Sequence, residues 1–172
     1  MLDNNKRREE ILSYLSLHSK PISGTDLANK FHVSRQVIVQ DIALLRASNR
    51  NILSTNKGYI LYQPEENENT FKSVIYVKHD ANQVLEEFTT ILEYGGKVLN
   101  VSIDHDLYGQ IEADLLIQTM EDAKEFIFKM EHSTSKLLNI LTDNCHYHTI
   151  CAPSEKVMNL IKADLAKKGF LC

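Results

Sequence analysis

Apolar positions recur with two different periods along the chain, and the change of period marks out its elements. Between 6 and 18, Ile11, Leu12 and Leu15 stand at helical spacing, and Pro21-Ile22-Ser23-Gly24 closes that segment. A short second helix over 25–31 turns Leu27, Ala28 and Phe31 inward, and Ser34 is a good N-cap for a third helix running to about 48. Ile52-Leu53-Ser54 and Tyr59-Ile60-Leu61-Tyr62 then flank Thr55-Asn56-Lys57-Gly58, the pattern of two strands around a turn. Helix, short helix, turn, helix and hairpin is the order of a winged helix-turn-helix. Beyond it the pattern alternates between strand and helix: strand 71–78, helix 81–94 stopped by Gly95-Gly96, strands 97–103 and 111–119, helix 121–132, strand 146–151 and helix 154–168 stopped by Gly169. The order βαββαβα predicts an α+β sandwich, one antiparallel sheet with helices on one face.

Pro64-Glu65-Glu66-Asn67-Glu68-Asn69-Thr70 holds no apolar residue and reads as a linker. The expected organisation is a DNA-binding domain over 1–63, a linker over 64–70 and a regulatory domain over 71–172. Charge supports the division. Residues 1–63 carry nine Lys/Arg against five Asp/Glu, a net of +4, whereas the rest carries ten against eighteen, a net of −8. A basic front fits a polyanionic partner and an acidic back does not. No apolar run approaches the ~20 residues that span a bilayer. The polar N-terminus has no secretory core, and Cys145, Cys151 and Cys172 form no Cys-x-x-Cys pair. These features predict a cytoplasmic protein with reduced thiols and no membrane partner.

On a wheel at ~100° per residue, Val37, Ile38, Ile42, Leu44 and Leu45 gather on one side of the third helix. Gln36, Val39, Gln40 and Ala43 gather on the other. Gln bonds bidentately to adenine, and Val or Ala can meet a thymine methyl. Ser34 and Arg35 at the helix start are placed for phosphates or bases, Thr25 at the start of the second helix for a phosphate, and Lys57 at the hairpin tip for the backbone or the minor groove. Asp41 falls near the apolar side and needs a partner, Arg46 or Arg7. The plain alternative is a small three-helix domain with a solvated polar face.

Metal-binding chemistry centres on His146-Tyr147-His148. Two residues apart in a strand, the imidazoles share a face. His79 ends the first strand of the back half. On the following helix, Val84, Leu85, Phe88, Ile91 and Leu92 form an apolar arc. Glu86 lies ~160° from its centre and Glu87 ~100°, so Glu87 stands at the border of the buried face. Three imidazoles and a carboxylate suit zinc, nickel or iron(II) rather than calcium. The alternative is a pair of core histidines satisfied by hydrogen bonds. His18 and His32 are expected at the surface, and His132 near a helix C-terminus.

The run Leu27-Ala28 through Phe31-His32-Val33-Ser34-Arg35-Gln36, followed by Asp41-Ile42, resembles the biotin-repressor-type winged helix-turn-helix. Gly95-Gly96-Lys97-Val98, Ile103-Asp104-His105-Asp106-Leu107-Tyr108-Gly109 and Leu141 through Ile150 resemble the 3H domain. Together they resemble the niacin-responsive transcriptional repressor (NiaR) family over nearly the whole chain. The resemblance implies a cytoplasmic homodimer that binds double-stranded operator DNA and represses genes of NAD biosynthesis and niacin uptake. It implies nicotinic acid as co-repressor and a divalent transition metal on His79, Glu87, His146 and His148. His105 and Tyr108 fall in the family's His-Pro-Val-Tyr-Gly motif and are expected near the effector. Asp106 stands here in place of the motif's Pro, and Asn144 in place of a Gly; Asn tolerates a left-handed backbone. The functional expectation is therefore a repressor and not an enzyme. The alternatives are a metal-responsive transcription factor and a metal-dependent hydrolase fused to a DNA module.

Overall fold

The computed structural model describes residues 4–48, 51–62 and 70–172. Arg50 and the expected linker, Thr70 apart, lie outside them. Chain contacts divide the protein into two compact units, Met1–Glu65 and Glu66–Cys172.

The first unit contains α1 (Asn4–Ser16), α2 (Gly24–Phe31), α3 (Arg35–Ala47), β1 (Ile52–Thr55) and β2 (Gly58–Leu61). Ser23 and Ser34 accept hydrogen bonds from Asp26 N–H and Val37 N–H, so each serine caps the helix that follows it. Ile11, Leu15, Leu27, Ala28, Ile38, Ile42, Leu45 and Ile52 make its core. Leu44 is 54 % exposed, contrary to its place on the apolar side of the wheel. The buried stripe runs instead through Ile38, Asp41, Ile42 and Leu45. Asp41 displaces Leu44 from the inside because it has a partner there. Its Oδ2 accepts Arg7 Nε–H at 2.7 Å, its Oδ1 accepts Arg7 Nη2–H at 3.3 Å, and both residues are buried. The hairpin gains a third rung from the segment before α2, where Ile22 and Tyr59 exchange two backbone hydrogen bonds of 2.8 Å. That approach needs Gly58: a Cβ there would lie 2.2 Å from the Ile22 carbonyl oxygen, at φ +131°.

The second unit is a four-stranded antiparallel sheet in the order β3-β6-β4-β5, formed by β3 (Phe71–Lys78), β4 (Lys97–His105), β5 (Gly109–Ile117) and β6 (Cys145–Ala152). A 3₁₀ turn, Ala81–Gln83, leads into α4 (Val84–Glu93); α5 (Met120–His132) follows β5, and α6 (Glu155–Lys167) follows β6. Two split β-α-β units interlock, each receiving a strand of the other, and this puts β6 between β3 and β4. Ile75, Val77, Val98, Leu115, Ile117 and Ile150 from the sheet share one core with Phe88, Ile91, Ala123, Met158, Ile161 and Leu165 from the three helices. The helices therefore cover one face, as the α+β pattern predicts. Close packing of α6 on α4 depends on Gly96, where a Cβ would stand 2.8 Å from both Ile161 Cδ1 and the Ile91 carbonyl.

Removing Asp41 leaves the buried Arg7 guanidinium without its main carboxylate. Asp41→Ala is expected to lower the unfolding free energy by roughly 3 kcal/mol, measured by urea denaturation. A loss of under about 0.5 kcal/mol, the size of an ordinary surface substitution, would show that the pair does not hold α1 to α3.

Candidate functional site

The alternation of the edge strand β3 and its neighbour β6 builds the site. Along β3 and just beyond it, Ile75, Val77 and His79 are buried while Val74, Tyr76 and Lys78 are exposed. His146, His148 and Ile150 are buried on β6, with Val77 opposite His146 and Ile75 opposite His148. All three histidines thus face the helical layer. Glu87 reaches them from α4 and is 0 % exposed, deeper than the border position its wheel angle predicts. Leu85, expected inside, is 36 % exposed. The buried face of α4 is turned toward Glu87 and Thr90 because both polar groups have partners: the imidazoles for Glu87, and for Thr90 the Lys168 ammonium, 2.9 Å from its Oγ1.

Candidate ligand atoms of His79, Glu87 and His146 all lie within 4.8 Å of one another. His148 joins them through Nε2, 3.5 Å from Glu87 Oε2. Each imidazole donates Nδ1–H to a backbone carbonyl: His79 to Asp80 (2.9 Å), His146 to Asn144 (3.2 Å) and His148 to Asn100 (2.6 Å). These bonds orient the rings and leave Nε2 as the ligating nitrogen of each. Asn144 holds φ 66° directly after Asp143 at φ 50°, so asparagine serves the left-handed turn that places its carbonyl beside His146.

Without an ion, protons occupy the cluster. His79 Nε2–H donates to Glu87 Oε2 at 2.8 Å. Burial pushes His79 toward the neutral form, but the hydrogen bond and charge of Glu87 outweigh it, and its pKa is raised. Burial pushes the Glu87 carboxyl up, yet the charge of His148 and the hydrogen bonds of His148 and His79 hold it well below the usual carboxylate range. His146 is pushed down to about 4 by burial and by the charge of His148. Glu87 Oε1 is buried with no hydrogen-bond partner. An orphaned carboxylate oxygen among three oriented imidazoles fits a divalent transition ion, which accepts nitrogen and oxygen donors at one centre.

The cluster forms part of the wall of a small, partly open cavity of about 40 Å³, whose remaining wall is mostly apolar and includes Phe88, Val101, Leu115, Phe126 and Leu137. Asn139, from the 3₁₀ segment Leu138–Thr142, also lines it. Sequence reasoning passed over Asn139: a lone asparagine outside any periodic segment carries no signal of burial. His105 and Tyr108 do not line this cavity. They shape the β4–β5 turn, where His105 Nδ1 accepts Leu107 N–H (3.2 Å) and Tyr108 N–H (3.3 Å), and Tyr108 is 73 % exposed.

In the first unit, Thr25, Ser34, Arg35, Gln36 and Gln40 are all exposed, and Lys57 is half-buried in the hairpin turn. Val39 and Ala43 are exposed beside the glutamines. The outer side of α3 therefore presents two amides and two small apolar groups, a combination able to read base edges.

Residues 7–60 match the HTH domain family and residues 72–172 match the 3H domain family. The chain is 36 % identical over 166 residues to the probable transcription repressor NiaR of Thermotoga maritima, covering 96 % of this chain and 93 % of that one. The chain belongs to the NiaR–NadR family of transcription repressors. The transcription repressor NadR of Bacillus subtilis is 34 % identical over the same length, covering 96 % of this chain and 92 % of that protein. An uncharacterized protein of Methanothermus fervidus is 35 % identical over 104 residues, which are 56 % of this chain and 16 % of that one. Family membership makes the first unit a DNA-binding helix-turn-helix and the second a 3H domain, and the relatives so named are transcription repressors. No helix among the described residues is long and apolar enough to cross a membrane.

Metal uptake must displace the proton between His79 and Glu87. Affinity for nickel or zinc is expected to fall as pH drops through the raised pKa of His79, with proton release visible as a dependence of the calorimetric heat on buffer ionisation enthalpy. Uptake independent of pH and buffer would show that the ion binds elsewhere.

Proposed function

We propose that this chain is a cytoplasmic, homodimeric repressor of genes for NAD biosynthesis and niacin uptake, with nicotinic acid as co-repressor in the 3H domain. The observation that carries this reading is the cavity: a largely apolar space with a candidate transition-metal ligand set in its wall. A divalent ion on His79, Glu87, His146 and His148 would supply a Lewis-acidic position for a carboxylate or ring nitrogen. The protein's own part is to hold the rings through Asp80, Asn144 and Asn100, and to exclude water with Phe88, Phe126 and Leu115. Membership of a family of named repressors supports the coupling to DNA.

In this reading α3 enters the major groove. Gln36 and Gln40 read bases, Ser34 and Arg35 meet the groove edge, and Thr25 and Lys57 touch the backbone. Two copies would read half-sites about one helical turn apart, or multiples of that. The effector acts by favouring the DNA-competent state, so it must bind that state more tightly.

Operator affinity of the metal-loaded protein is expected to rise with nicotinic acid, measured by fluorescence anisotropy at fixed salt. No change at saturating effector defeats the co-repressor role, and a response to metal alone would favour a metal sensor. Gln40→Ala is expected to weaken operator binding about tenfold, the order of one lost base contact, while leaving non-specific binding and the circular dichroism spectrum unchanged. Equal loss on both DNAs would remove Gln40 from base reading.

A further inference from the structure

The four-stranded sheet of the second unit has a face that turns away from α4, α5 and α6. An antiparallel sheet can leave such a face to water, and its outward positions are then polar. Here the middle is apolar. Val74 is 61 % exposed on β3, and the outward Tyr76 ring stacks on Tyr147 of β6 with centroids 4.6 Å apart. Charge is sorted to either side of these groups. Lys72 and Lys78 are exposed on β3, where Ile75 and Val77 face the core. One cross-strand row runs from Tyr76 through Tyr147 and Ser102 to Glu112, and the next from Val74 through Thr149 and Asn100 to Asp114. Asp104, exposed on β4, adds a third carboxylate. Lys97 is the basic residue on that side, at the opposite end of β4 from Asp104. The face is therefore positive along β3 and mainly negative toward β5.

A face with opposite signs on its two sides is complementary to a second copy of itself. A two-fold axis parallel to the strands lays β3 of each copy over β5 of the other, and so sets lysines on carboxylates twice. An axis across the strands would set β3 on β3 and lysine on lysine. We propose that this face is the contact between two copies of the chain, packed sheet on sheet about an axis parallel to the strands. Val74, Tyr76 and Tyr147 form its centre, and Lys72 and Lys78 of each copy lie against Asp104, Glu112 and Asp114 of the other. Four strands with the 8-residue length of β3 span roughly 20 by 25 Å. Each copy thus offers about 500 Å² in flat projection and the pair about 1,000 Å², the lower bound for a specific interface. Tyrosine at the centre and charge at the rim is the usual anatomy of such a contact. The assignment rests on the homodimer proposed above and gives it a surface. β6 serves both sites, since His146 and His148 face the ligand cluster and Tyr147 between them faces the second copy.

The test follows a dilution series of the metal-loaded full chain by sedimentation velocity. Lys72→Glu with Lys78→Glu makes both sides of the face negative, and Asp104→Lys with Glu112→Lys makes both positive. Each double variant alone is expected to raise the dimer Kd at least about tenfold, because like charges then meet. An equimolar mixture of the two is expected to form a heterodimer within about threefold of the wild-type Kd, a recovery that misfolding of either variant cannot produce. Val74→Arg is expected to dissociate the dimer while leaving the circular dichroism spectrum unchanged. If the variants dimerise like wild type, or if the mixture stays as weak as its parts, this face is not the contact while the homodimer stands. A wild type that is monomeric at every concentration, with and without operator DNA, overturns the homodimer and the interface together.

Discussion

A carboxylate with no water around it governs the second unit. Glu87 is fully buried on α4, and among the described residues the groups that make such burial tolerable are the imidazoles that face it from the end of β3 and from β6. Meeting that demand requires β6 to lie beside β3, which the interlocked β-α-β topology provides, and His79 to extend the inward face of β3 by one more position. It also turns α4, bringing Glu87 and Thr90 inside and leaving Leu85 partly outside. Even the backbone beyond the site conforms: the left-handed pair Asp143–Asn144 and the register shift in β4 at Asn100 are where the carbonyls that orient His146 and His148 arise.

The first unit solves a smaller version of the same problem. Asp41 enters the core of a small domain only because Arg7, thirty-four residues earlier, comes with it. The pair ties α1 to α3, and so anchors the helix whose other side carries Gln36 and Gln40. The wing is held from the opposite direction by the Ile22–Tyr59 bridge and the missing side chain at Gly58. The helix and the hairpin that carry residues proposed to meet DNA are thereby fixed by contacts on their inner sides.

The cluster is dressed for ligation: every imidazole has its Nδ1 committed to a backbone carbonyl, which orients Nε2 toward the centre of the cluster. The space next to the cluster is largely apolar. Glu87 Oε1 and Asn139 Oδ1 are buried there with no hydrogen-bond partner among the described residues.

The strands and helices, the cap at Ser34, and the same-face pairing of His146 and His148 were all legible in the sequence, because each depends on spacing within a few residues. The motifs read over the whole chain also led to the right family. Glu87 was selected from one helical wheel, but its depth was not, since an apolar arc does not know which polar residue will find partners across the fold. Leu44 and Leu85 were misplaced inward for that reason: Asp41 and Glu87 outcompeted them once Arg7 and the histidines were in reach. The sequence grouped His105 and Tyr108 with the effector motif, whereas in the folded chain they shape a hairpin turn apart from the cavity wall. Asn139 and the cavity it lines were invisible until the chain closed on itself. By itself the sequence determined the elements, the two units and the types of ligand available, all consequences of local periodicity and chemistry. Which atoms meet, which are buried and which remain unpaired was decided only by the tertiary structure, because burial and pairing are properties of residues far apart in the chain.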